Sequence, residues 1–179
     1  MRAEDILNFW FTEIDEKSWW VKSKDFDDVI RRRFLKVYEA GVRCELAHWR
    51  DSIRGRLAEI IVLDQFPRNM FRDDARAFQA DPLALMLSQE AVRAGGYKGW
   101  PATWRAFLFM PYMHSESARV QEDCIKLFEG PGLEENLDFA HRHKAIIDRF
   151  GRYPHRNEAL GRMSTPEELA FLKEPGSSF

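Results

Sequence analysis

Cysteine is scarce in this chain: of 179 residues two are cysteine, Cys44 and Cys124, and no C-x-x-C spacing occurs. That argues against a disulfide framework and against a cysteine zinc site, and both residues read as small core positions of a reducing compartment. Long apolar runs are missing as well; none approaches the roughly 18 residues of a membrane span. The opening Met1-Arg2-Ala3-Glu4-Asp5-Ile6 is charged too early for a secretory signal. The expected address is the cytoplasm. Charge of one sign is also lacking, since 27 basic residues face 29 acidic ones and no like-charged run exceeds Arg31-Arg32-Arg33. Neither nucleic acid nor a membrane is therefore expected as a partner. No glycine-rich phosphate loop is present, and no stretch alternates with period two for long enough to predict a strand.

What is present is helical periodicity. Ile6, Leu7, Trp10 and Phe11 recur at helical spacing, and Trp19 and Trp20 follow as a cap on one end of the core. Ser23 N-caps a long helix with Phe26, Val29, Ile30, Val37, Tyr38 and Leu46 inward and the Arg31 to Arg33 run on a solvated face. Ser52 opens a helix carrying Leu57, Ile60 and Ile61, which Pro67 is expected to end. Asp81 with Pro82 reads as N-cap and first turn of the next helix, and Gly95-Gly96 as its end. The apolar segment Trp104 to Met110 predicts the central helix of the core, stopped or kinked at Pro111. Val120, Cys124, Leu127 and Phe128 mark a further helix. On the helix of 133–150, Leu133, Leu137, Phe139, Ala140, Ile146, Ile147 and Phe150 share one half of the circumference, with His143 in the middle of it. Thr165-Pro166-Glu167-Glu168 makes a capping box for a last short helix. The expected fold is all-α: seven to eight antiparallel helices on short connections, one domain over 1–174 with a frayed tail over 175–179.

Polar chemistry concentrates in Arg149-Phe150-Gly151-Arg152-Tyr153-Pro154-His155-Arg156-Asn157. Gly151 ends a helix at about Phe150, Pro154 keeps Tyr153 out of one, and Arg152, His155, Arg156 and Asn157 can then converge from an irregular turn, with Arg149 just before it; Arg149, Arg152, Arg156 and Asn157 are ligand-binding candidates. Arginine forks bind carboxylate or phosphate bidentately. A second polar turn, Asp64-Gln65-Phe66-Pro67-Arg68-Asn69, offers Asp64, Gln65, Arg68 and Asn69 as further ligand-binding candidates. The acid/base candidates are His114 and Glu116, just past the proline, with His143 and His155. Buried on an apolar face, His143 must find hydrogen-bond partners. No H-E-x-x-H or E-x-x-H spacing relates these four residues, so no metal and no cofactor is expected.

Through these same residues the chain resembles the bacterial domain-of-unknown-function family 924. The resemblance runs from Ile6-Leu7-Asn8-Phe9-Trp10-Phe11 to the last helix, with its most specific marks at Leu63 to Asn69, at Met110-Pro111-Tyr112 with His114-Ser115-Glu116, and at Arg149 to Asn157. It implies an all-helical fold similar to tetratricopeptide-repeat proteins and brings no assigned activity. The W-x2-L-G-x2-Y signature of such repeats is absent from the sequence itself. The leading expectation is a binding domain for a peptide, a protein or a small anionic ligand. An alternative is a small enzyme with histidine acid/base chemistry and arginine anchoring of an anionic substrate. A third is a structural clasp in which neighbouring carboxylates hold the same arginines. Oligomeric state is not legible in the sequence.

Overall fold

The structure, a computed structural model, describes residues 1–178; Phe179, the end of the expected frayed tail, lies outside them. Helices joined by turns and short irregular segments make up the described residues, and no strand occurs among them. The α-helices are α1 (Ala3–Asn8), α2 (Lys24–Val42), α3 (Ile53–Asp64), α4 (Phe66–Met70), α5 (Asp81–Ala94), α6 (Ala102–Met113), α7 (Ala118–Phe128), α8 (Glu134–Phe150) and α9 (Pro166–Phe171).

Local capping chemistry sets most of the boundaries. The hydroxyl of Ser23 accepts from the Phe26 N–H at 3.3 Å to start α2, and that of Ser52 accepts from Gly55 N–H at 3.0 Å to start α3. Thr165 and Glu168 form the reciprocal capping box of α9. Gly151 closes α8 in the left-handed conformation, φ 69°, where a side chain would be strained.

Prolines behave differently from expectation. Pro67 does not end a helix in open turn; it sits in the first turn of α4, where its missing N–H costs nothing, so the segment after Asp64 is helical. Pro111 lies inside α6, which runs on to Met113. Its position in the last turn forfeits a single ladder bond, too little to stop the helix. Asp81 is the first residue of α5 and not its N-cap, a place held by Ala80; its carboxylate is drawn away by arginines of the site.

The core is built on α3 at least as much as on the expected α6. All of Leu57 to Asp64 is buried, so α3 beyond its first turn has no solvent face; it is packed by α1, α2, α4, α5 and α6. Gly55 permits one of these approaches, since a Cβ there would lie 1.9 Å from the carbonyl oxygen of Trp49. The succeeding helices pack in chain order, α5 on α6, α6 on α7 and α7 on α8. Ile146, Ile147 and Tyr153 form a smaller cluster closed by Phe150 and Phe171.

Four surface expectations change: Cys44, expected in the core beside the buried Cys124, is exposed in the turn after α2. Trp19 packs on Trp10 and donates to its carbonyl at 3.1 Å, but Trp20 stays 62% exposed. Within the basic run, Arg31 donates to the Met70 carbonyl and Arg33 forks onto Glu13 while lying over the Phe9 ring, so these two fasten α2 to its neighbours. Phe139 is on the outer edge of α8, 45% exposed.

Candidate functional site

The site begins at the end of α3, where the buried C-terminal half of the helix places Asp64 at 1% side-chain exposure. A carboxylate at such depth must be satisfied by donors. Gln65 Nε2 donates to Asp64 Oδ2 at 2.5 Å, and His114, which caps the far end of α6, brings Nδ1 to 2.7 Å from Oδ1. One turn on from Asp64, Arg68 reaches back to the Asp64 carbonyl at 2.5 Å and lies 3.5 Å from its Oδ1. The same guanidinium forks onto Asp81, with Nη1 to Oδ1 at 2.9 Å and Nη2 to Oδ2 at 3.0 Å.

Asp81 is shared. Arg156, from the turn after α8, donates to Asp81 Oδ2 at 3.1 Å and to the His114 carbonyl at 3.0 Å. Its guanidinium is held between two rings, 4.6 Å from the Phe78 centroid and 4.7 Å from that of Tyr153. These two bonds use two of the five N–H donors of the side chain. Its Nε is buried without a hydrogen-bond partner among the described residues. Arg156 is 7% exposed, whereas Arg68 at 21% and His114 at 16% still meet solvent, so the cluster is reached from outside past those two side chains.

Tyr153 supports the floor. Its hydroxyl donates to the Met113 carbonyl at 2.6 Å and accepts from Gln121 Nε2 at 2.9 Å, tying the turn to the end of α6. His143 stands edge-on to the Tyr153 ring at 5.6 Å, and its Nδ1 lies 2.8 Å from the Phe139 carbonyl, so the expected buried and bonded histidine is found. His155 is a second imidazole neighbour of the same ring, 5.6 Å between centroids and tilted by 38°.

The electrostatics follow from depth and crowding. Burial opposes ionisation of Asp64, but His114, Arg68 and Gln65 outweigh it and hold the carboxyl below its usual range. Burial, aided by Arg68, lowers His114 in spite of Asp64, leaving a neutral imidazole whose Nδ1–H points at the carboxylate. Burial pushes His143 down to about 3 and His155, with the help of Arg156, to about 4. Arg156 is itself lowered by burial and by Arg68, the mark of two cations crowded into one recess. Arg68 is nonetheless raised, because Asp81 and Asp64 overcome its burial.

The sequence-predicted residues therefore separate. Asp64, Gln65, Arg68, His114, His143, His155 and Arg156 come together. Arg152 is instead forked onto Glu168, at 2.6 and 2.8 Å, and Arg149 is paired with Glu167. Asn157 donates to Ser164 at 3.0 Å and accepts from Arg162; Asn69 turns to Asp27 on α2. Glu116 accepts from the Tyr153 N–H and forks with Arg162, which fastens the turn. Asp81, Phe78, Gln121 and Tyr153 were not singled out as site residues by sequence. Gln121 left a signal, a polar residue in line with Cys124 and Phe128 on the buried side of α7. Asp81 left only a misleading one, its place before Pro82. No group of three His, Cys, Asp or Glu side chains placed to hold a metal occurs among the described residues. Two shallow surface depressions lie elsewhere, one beside Asp25, Asp28 and Arg32 and one between Glu122, Lys126, His141 and Lys144.

Comparison with known proteins agrees with this architecture. A solved structure of a protein of unknown function from Agrobacterium tumefaciens is similar at 36% identity and a TM-score of 0.88, over 96% of each chain. No curated protein matches. The family model described as bacterial protein of unknown function (DUF924) matches residues 6–176. The chain belongs to that family.

Proposed function

We propose that this protein binds a small anion, a carboxylate or phosphate group, in the recess of Arg68 and Arg156. The observation that carries the reading is the stacked Arg156, which is buried with most of its donors unused and shares its one carboxylate partner with a second arginine. Guanidinium groups held this way are preorganised for a bidentate anion and lose little freedom on binding. A small ligand fits better than a peptide. The exposed large apolar residues, among them Met1, Trp20, Met86, Met163 and Leu169, belong to separate segments and do not line this recess. The consecutive packing of α5 to α8 favours a tetratricopeptide-like reading of that part of the fold without adding to the function. A cytoplasmic setting accords with two free cysteines, and no helix of the described residues is long and apolar enough to cross a membrane.

The enzyme reading is favoured by one contact, the buried Asp64 that orients His114 as a carboxylate orients a general base. Melting curves at low ionic strength test the binding reading. Phosphate, sulfate and succinate should raise the melting temperature with concentration, by about 2.7 kcal/mol of stabilisation when the ligand reaches a hundred times its Kd. Curves that do not move with any of the three would refute it.

A further inference from the structure

The cluster supplies two opposite kinds of hydrogen-bonding group to the same recess. Arg68 and Arg156 can only donate. His114 can accept, because its Nδ1 is committed to Asp64 at 2.7 Å and its Nε2 has no hydrogen-bond partner among the described residues. The His114 side chain keeps 16% exposure, so its ring is reached from solvent. Acceptor and donors are also neighbours. His114 Nδ1 and Arg68 Nη1 both approach Asp64 Oδ1, at 2.7 and 3.5 Å, and the His114 carbonyl receives Arg156. A plain carboxylate would satisfy the arginines and leave the Nε2 lone pair facing the ligand with nothing to accept.

Resting on the anion-site reading above, we infer that the ligand class is the hydroxycarboxylate, whose carboxylate takes the arginine forks while the adjacent hydroxyl donates to His114 Nε2. Asp64 is the positioning residue here, since it fixes which nitrogen carries the proton and so keeps Nε2 an acceptor. Selectivity arises as it does wherever a site is built to bond a ligand hydroxyl: the analogue lacking it leaves a polar group unpaired.

Isothermal titration with matched pairs, malate against succinate and lactate against propionate, tests this directly. The hydroxylated member of each pair should bind roughly fivefold to tenfold more tightly to the wild type. His114→Asn keeps a donor near the position of Nδ1 for Asp64 and removes the Nε2 acceptor. It should bring each pair to within about twofold. Equal binding of malate and succinate by the wild type would overturn the hydroxyl inference and leave the anion site standing. Absence of binding by all four would overturn both. If His114→Asn fails to fold, the wild-type ratio alone decides.

Discussion

His114 and Asp64, 50 positions apart in the chain, meet through Nδ1 and Oδ1 at 2.7 Å. The contact joins the end of α6 to the end of α3, the two most buried helices, and fixes the neutral imidazole beside two arginines. It also explains why Asp64 tolerates full burial: Gln65 takes one oxygen, and His114 takes the other with Arg68 close by.

Replacing the buried His143 with Asp should destabilise the fold by about 3 to 5 kcal/mol, the cost of an uncompensated buried charge. The imidazole is 6% exposed and bonded to the Phe139 carbonyl, and a carboxylate there would face that same carbonyl. Urea denaturation measures this, and an unchanged midpoint would contradict the placement.

Acid should weaken the protein before its carboxylates titrate. His143 and His155 have folded values of about 3 and about 4 against an ordinary 6.5, so the unfolded chain binds protons that the folded chain refuses. The stability they leave intact is complete above about pH 6.5 and is lost as pH falls below it, at about 1.4 kcal/mol per pH unit for each group until its folded value is reached. Glu168, held near 2 chiefly by Arg152, adds a loss only at lower pH, below 4.5. Stability measured from pH 7 to pH 5 should decline steadily; a flat profile would show that these histidines are protonated in the fold.

Arg152 and Glu168 should behave as a fastener. Arg152→Ala strips the fork from a glutamate that is 3% exposed and also closes the capping box of α9, so the melting temperature should fall. The increment that phosphate or succinate adds should be unchanged. A variant that melts normally but has lost that increment would move the binding site to Arg152.

Gly55→Ala pits two effects against each other. Alanine favours a helix by about 1 kcal/mol over glycine. Its Cβ would meet the Trp49 carbonyl at 1.9 Å, backbone that cannot swing aside as a side chain would. Overpacking of this kind costs about 1 to 3 kcal/mol, so a net lower urea midpoint is expected. A gain in stability would mean that the turn before α3 yields freely.

What the sequence made legible was chemistry that acts within a few residues. Ser23, Ser52, Thr165 and Gly151 cap their helices as their spacing implies, because each cap and the backbone group it satisfies are at most four positions apart. His143 was legible too, since helical angle alone puts it among apolar neighbours. Partner choice was not. Nothing local distinguishes Arg152, forked onto Glu168, from Arg156, which crosses to Asp81 75 positions away. Asp81 is the clearest case of a local rule overridden: before a proline it should cap, but two guanidinium groups offer its carboxylate more than one backbone N–H does.

The most direct test is isothermal titration of succinate into the wild type, Arg68→Lys and Arg152→Ala at one low ionic strength. Lysine keeps the charge of Arg68 but cannot reproduce its fork, so binding should weaken about tenfold or more in Arg68→Lys and stay at its wild-type value in Arg152→Ala. Equal affinity in all three proteins, or no heat in any, would contradict an anion site built on Arg68 and Arg156.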